Sequence, residues 1–126
     1  MEQGNETILF VDDEDYLAEV GKEMLEDYGY KVDIETSPAK ALALFEKEPD
    51  RYDLLITDYT MPGMTGDQLV EKLLTIRPGL PVILCSGIRL AQDLENTKGI
   101  SRILMKPFDM DQLIDIVREV LDTHAS

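Results

Sequence analysis

The run Tyr52-Asp53-Leu54-Leu55-Ile56-Thr57-Asp58-Tyr59-Thr60-Met61-Pro62-Gly63-Met64-Thr65-Gly66 sets the architecture of this chain. Leu54, Leu55 and Ile56 form an unbroken apolar run bounded by turn residues, the pattern of a strand buried on both faces. It ends at Thr57 and Asp58, and Pro62, Gly63 and Gly66 then break regular structure. Asp58 therefore stands where a central strand meets its loop. In open parallel sheets that carboxyl edge is where ligands bind. An aspartate there either hydrogen-bonds its own turn, the commoner role, or acts as a reactive carboxylate. The rest of the chain has to decide.

Outward from this stretch, strands and helices alternate. Ile8 to Val11 is a second continuous apolar run, ending in Asp12-Asp13-Glu14-Asp15. Leu17, Val20, Met24, Leu25 and Tyr28 follow at helical spacing, and Gly29 closes that helix. Lys31 to Glu35 alternates polar and apolar, which suits an edge strand. Ser37-Pro38 is a helix start, with the hydroxyl as N-cap and proline in the first turn; this helix buries Ala41, Leu42 and Phe45 and stops before Pro49. After the central stretch, a helix through Leu69, Val70, Leu73 and Ile76 is ended by Pro78-Gly79. Val82 to Cys85 is the fourth strand. A thinly apolar helix is expected over 88–98, from Leu90, Ala91 and Leu94. Ile103 to Met105 is the fifth strand. Asp109 and Gln112 then form a capping pair for a last helix faced by Leu113, Ile116, Val117, Val120 and Leu121.

Five βα units with short connections predict a parallel sheet covered on both sides. The order 2-1-3-4-5 puts the alternating second strand at an edge and the continuous first and third strands inside. One domain of 126 residues is expected, with a core over about 7–122, a loose lead-in over 1–6 and a tail over 123–126. The net charge of −14 argues against a nucleic-acid or anionic-membrane surface. No apolar stretch reaches membrane-spanning length. Cys85 is the only cysteine, so no internal disulfide forms and a reducing compartment such as the cytoplasm is expected. Cys85 itself suits a small buried hydrophobe, and Met61 and Met64 suit packing under the loop.

Collected by topology, the strand ends deliver Asp12 and Asp13, Asp58, Ser86 and Lys106 to one rim. Singly, each has a plain explanation: acids at a helix start, a turn aspartate, a capping serine, a surface lysine. Together they make a different case. Three crowded carboxylates repel unless a cation or proton intervenes. An all-oxygen set without His or Cys suits a hard ion such as Mg²⁺ and argues against zinc. Mg²⁺ takes one or two carboxylates plus phosphate oxygens. Lys106 and Ser86 suit the oxygens of a transferring phosphoryl group, and Asp58, taken as the innermost acid, suits the nucleophile.

The signature Phe-Val-Asp-Asp-Glu at 10–14, Asp-Tyr-Thr-Met-Pro-Gly at 58–63, Cys-Ser-Gly at 85–87 and Lys-Pro-Phe at 106–108 resembles the receiver domains of two-component response regulators. The match runs from Ile8 to about Leu121. The resemblance implies a (βα)5, flavodoxin-like doubly wound fold and a phosphorelay role. Asp58 would accept a phosphoryl group from a phosphohistidine on a histidine kinase or histidine phosphotransfer domain. Asp13, Asp58 and the backbone carbonyl of Thr60 would ligate Mg²⁺, with Asp12 acting mainly through bound water. Ser86 and Lys106 would bind phosphoryl oxygens, and Lys106–Pro107 would be cis. A downstream effector protein is a further implied partner. The stretch from Ile76 to Gly87 is also similar to receivers attached to hybrid sensor kinases.

One position departs from the family. Receivers often carry Tyr or Phe three residues before the lysine, and this chain has Ile103. An aliphatic side chain has no ring to swing inward. Other classes fit less well. A haloacid-dehalogenase-type hydrolase wants a second aspartate where Thr60 stands, and usually a cap insertion. An FMN carrier wants a Ser/Thr/Gly-rich phosphate loop where Asp12 to Asp15 stand. A docking-only receiver would lack an acceptor residue, and none is missing.

Overall fold

A computed structural model describes residues 4–87 and 99–124. Strands β1 (Thr7–Val11), β2 (Lys31–Glu35), β3 (Leu54–Asp58), β4 (Val82–Ser86) and β5 (Arg102–Met105) alternate with helices α1 (Asp15–Glu26), α2 (Pro38–Lys47) and α3 (Gly66–Ile76). Helix α4 (Met110–His124) closes the order. The helix expected over 88–98 lies outside the described residues. The strands form one parallel sheet in the order β2-β1-β3-β4-β5. The chain thus has the five-stranded doubly wound fold read from its patterning, with β2 at an edge.

Why the inner strands read as continuous apolar runs follows from the period-two alternation of side chains. Ile8, Phe10, Leu54, Ile56, Ile83 and Cys85 point to one face, packing with Ala18 and Leu25 of α1 and Leu113 and Val117 of α4. Leu9, Val11, Leu55 and Val82 point to the other, against Ala41 and Phe45 of α2 and Leu69 and Leu73 of α3. Both faces are covered, so both sets of positions are predominantly apolar. Tyr52, just ahead of β3, stacks on Phe45 with ring centroids 6.2 Å apart and donates its hydroxyl to Asp33 Oδ2 at 2.7 Å. Among the described residues, no helix is long and apolar enough to cross a membrane.

Of the apolar residues that recur at helical spacing in α1 and just after it, Leu25 is fully buried and Met24 and Tyr28 pack partly against the core, while Leu17 is 37% exposed; Ala18 and Gly21 complete the buried line of α1. These small residues answer to Phe10, whose ring fills the space beneath the helix. A Cβ on Gly21 would lie 2.7 Å from Phe10 Cζ, so the inward line runs through small residues. Against expectation, the lead-in is tied down from Gly4 onward. Gly4 N–H donates to Tyr28 O at 2.8 Å, and Glu6 is held by the Arg118 guanidinium of α4 at 2.7 Å. Gly29, at φ 95°, takes the left-handed turn after α1 that the sequence pattern assigns it.

Candidate functional site

Strand order does the assembly. β1 and β3 are neighbours, with Val11 paired to Thr57, so Asp12 and Asp13 leave the sheet beside Asp58. One carboxylate oxygen from each lies within 4.8 Å of the others. Asp12 is oriented by its own loop, its Oδ1 accepting from Glu14 N–H at 3.0 Å. Lys106 follows β5, two strands from β3, and its long side chain reaches back across β4. Its Nζ stands 3.1 Å from Asp12 Oδ2 and 3.2 Å from Asp58 Oδ1. Lys106 N–H also donates to Ser86 O at 2.8 Å, which fixes the start of the β5–α4 loop against the end of β4. The Lys106–Pro107 bond is cis, as the resemblance implies. Ser86 is buried at the end of β4. Thr60 lies two residues beyond Asp58 on the exposed loop.

The burial order of the acids differs from expectation. Asp12, at 3% exposure, lies deeper than Asp58 at 8%, because its carboxylate is folded back onto the Glu14 amide and the Lys106 ammonium. Asp13 is the most open of the three. Burial holds the Asp58 carboxyl above its ordinary range; Lys106 opposes that shift, while Asp12 and Asp13 add to it. Burial alone would lower Lys106, but contact with Asp12 and Asp58 outweighs it and raises the ammonium. Cys85, next along β4, has its thiol pushed up to about 12 by burial, so it offers no thiolate here.

Lys106 pairs with Asp12 and Asp58, and the three clustered carboxylates leave an excess of negative charge confined to oxygen donors. Such a set fits a hard divalent cation and not a soft one. A carboxylate at the lip, an ammonium across from it and a hydroxyl on the adjoining strand end are the parts of a phosphoryl-accepting site. Beside it runs an apolar groove of about 370 Å³ between α1 and α4, lined by Leu17, Val20, Met24 and Phe108 among others. The structure brings together Asp12, Asp13, Asp58 and Lys106. One residue bearing on the site reads in the sequence only as the end of an apolar run: Thr57, whose hydroxyl donates to Asp58 O.

A doubly wound sheet with this acidic rim and a lysine at the last strand defines a class, the phosphoacceptor modules of signalling relays. The comparison with known families agrees. The family model for the response regulator receiver domain matches residues 8–118, and the chain belongs to that family. Sensor kinase CckA of Brucella abortus is 31% identical over 121 residues, covering 94% of this chain and 13% of that protein. Sporulation initiation phosphotransferase F of Bacillus subtilis is 29% identical over 119 residues, covering 93% of this chain and 94% of its relative. Among solved structures, a CheY-like receiver domain protein from Methanospirillum hungatei superposes with a TM-score of 0.88 at 30% identity, over 97% of this chain and 98% of that one. The TrrA response regulator of Thermotoga maritima, solved in complex with Mg²⁺–BeF, gives 0.82 at 28% identity, over 91% and 98%. The chain thus spans a small part of some relatives and nearly all of others. It is a receiver domain with a phosphoacceptor role in two-component signalling.

Proposed function

We propose that Asp58 is the phosphoacceptor, serving a histidine kinase or histidine phosphotransfer domain. The observation that carries this is the Lys106 ammonium 3.2 Å from Asp58 Oδ1, at the rim where Asp12 and Asp13 converge. An Asp58 carboxylate oxygen attacks the phosphorus of a phosphohistidine. The P–N bond breaks, the imidazole nitrogen leaves with the electron pair and takes a proton, and Asp58 becomes an acyl phosphate. Lys106, held in place by the acids, presents positive charge to the phosphoryl oxygens, and the Ser86 hydroxyl is a second donor to them. Asp13, Asp58 and the Thr60 carbonyl would hold Mg²⁺, with Asp12 acting through water. When bound, Mg²⁺ neutralises charge on the phosphoryl oxygens and on the carboxylates. The Mg²⁺–BeF complex of the Thermotoga maritima relative supports Mg²⁺ as the ion.

The receiver unit, with a core over about 7–122, acts in the cytoplasm without contacting nucleic acid or membrane. Its chemistry is confined to its own phosphorylation and dephosphorylation, and a downstream effector or onward transfer reads the state. Similarity to sensor kinase CckA supports a place in a hybrid kinase; similarity over nearly the full length of phosphotransferase F supports a free-standing relay protein.

Intact mass after incubation with Mg²⁺ and acetyl phosphate tests the reading. The parent should gain one phosphoryl group, and Asp58→Asn should gain none. Uptake retained in Asp58→Asn would move the acceptor to another residue.

A further inference from the structure

Strand β3 ends in a backbone segment pinned at successive atoms. Thr57 Oγ1–H donates to Asp58 O at 3.1 Å. Tyr59 N–H donates to Cys85 O, and Gly66 N–H donates to Tyr59 O, each at 2.8 Å. On the far side of the Asp58 carbonyl stands the first residue of α3. A Cβ on Gly66 would lie 2.3 Å from Asp58 O and 2.9 Å from Tyr59 Cα. Backbone atoms at those distances have no flexible end to give way. The α3 N-terminus is thus seated directly against the Asp58 peptide.

Thr57 is the unexplained member. It is fully buried, and it pairs with Val11 and Leu84 in the ladder. Adjacent side chains of a strand point to opposite faces. Asp58 therefore meets its acidic partners on one side, while Thr57 lies on the side of α2 and α3. A valine would fill that position with the same shape and no hydroxyl to desolvate. The hydroxyl is directed instead at the carbonyl of the reactive residue itself.

We propose that Thr57 is a positioning residue for Asp58, and that its hydroxyl and the bare Cα of Gly66 form a socket for the Asp58 carbonyl. The inference rests on the phosphoacceptor reading of Asp58. Turning the Asp58–Tyr59 peptide would swing the carboxylate relative to Lys106 and displace Thr60 with it. The socket blocks that turn. A displacement on the order of 1 Å costs up to about a hundredfold in rate at a site whose catalysis is positional.

Thr57→Val and Thr57→Ser in the whole chain test this. Four quantities are read: the rate of phosphorylation by acetyl phosphate, the Mg²⁺ dissociation constant, exchange at the Tyr59 and Gly66 amides in metal-free protein, and the melting temperature. Thr57→Val should phosphorylate roughly tenfold more slowly, bind Mg²⁺ more weakly and exchange faster at both amides. Thr57→Ser should restore all three towards the parent. A valine variant with the parent's rate, affinity and exchange overturns the proposal, whatever its melting temperature. So does a serine variant as impaired as the valine one, since shape and not the hydroxyl would then matter. A parent that takes up no phosphoryl group breaks the phosphoacceptor reading instead, and the exchange data still judge the socket.

Discussion

Arg118 joins the two ends of the described chain. Its guanidinium donates to Glu6 Oε2 at 2.7 Å and Glu6 Oε1 at 3.3 Å, to Tyr30 Oη at 3.3 Å and to Asp122 Oδ1 at 3.0 Å. Both Glu6 and Arg118 are mostly shielded from solvent, so this bidentate pair outweighs an ordinary surface contact. The hydrogen bond from Arg118 holds Glu6 below its ordinary value of 4.5 against an opposing push from burial. A depressed folded value means the pair stabilises at neutral pH and loses that effect as pH falls from 4.5 through the folded value. Glu6→Gln should cost about 1 kcal/mol in urea unfolding at pH 7, with the gap to the parent closing below pH 4.5. A gap that persists in acid would assign the effect to shape. None of this pairing was legible in the sequence, because 112 positions separate the partners and no periodicity links them. The Asp33–Tyr52 bond was hidden in the same way. Asp12, Asp13, Asp58 and Lys106 were legible, because topology alone brings strand ends to one rim.

Helix starts carry their own signatures, and these differ in strength once built. At α4 the pair is reciprocal, with Gln112 N–H donating to Asp109 Oδ1 at 2.8 Å and Asp109 N–H to Gln112 Oε1 at 3.0 Å. At α2 a single bond runs from Lys40 N–H to Ser37 Oγ at a long 3.4 Å. Asp109→Ala should therefore cost roughly 1 kcal/mol in urea unfolding, and Ser37→Ala less than half of that. Equal costs would mean that bond geometry does not rank these caps. Asp109 lies three residues past Lys106, so its loss should also loosen the loop that carries the lysine. Element positions were readable because caps, turn residues and alternation are local. The small residues Ala18 and Gly21 on the inward line of α1 were not legible, because they answer to Phe10, a residue of another element. Ile103 belongs here too: it is half-buried on β5 opposite Leu84 and carries no aromatic ring.

At the scale of the whole molecule, a net charge of −14 makes the fold repel itself, and the repulsion is densest at the rim. Diffuse surface repulsion is screened by any salt, with a Debye length of about 10 Å at 0.1 M. Three carboxylates within 4.8 Å of one another, with one ammonium paired to two of them, are too close for that screening to help. A divalent ion seated among them binds the folded chain in preference to the unfolded one, where Asp58 is separated from the adjacent Asp12 and Asp13. At a hundred times its dissociation constant such a ligand adds about 2.7 kcal/mol, enough to raise the melting temperature by roughly 10 °C for a domain of this size. Mg²⁺ should produce that rise above an NaCl control of equal ionic strength, and a chelator should reverse it. Asp13→Asn and Asp58→Asn should each reduce it, while raising the starting melting temperature in the absence of Mg²⁺ because a repelling charge is gone. An equal rise from NaCl would make the effect general screening, and the proposed Mg²⁺ site would lose its thermodynamic support.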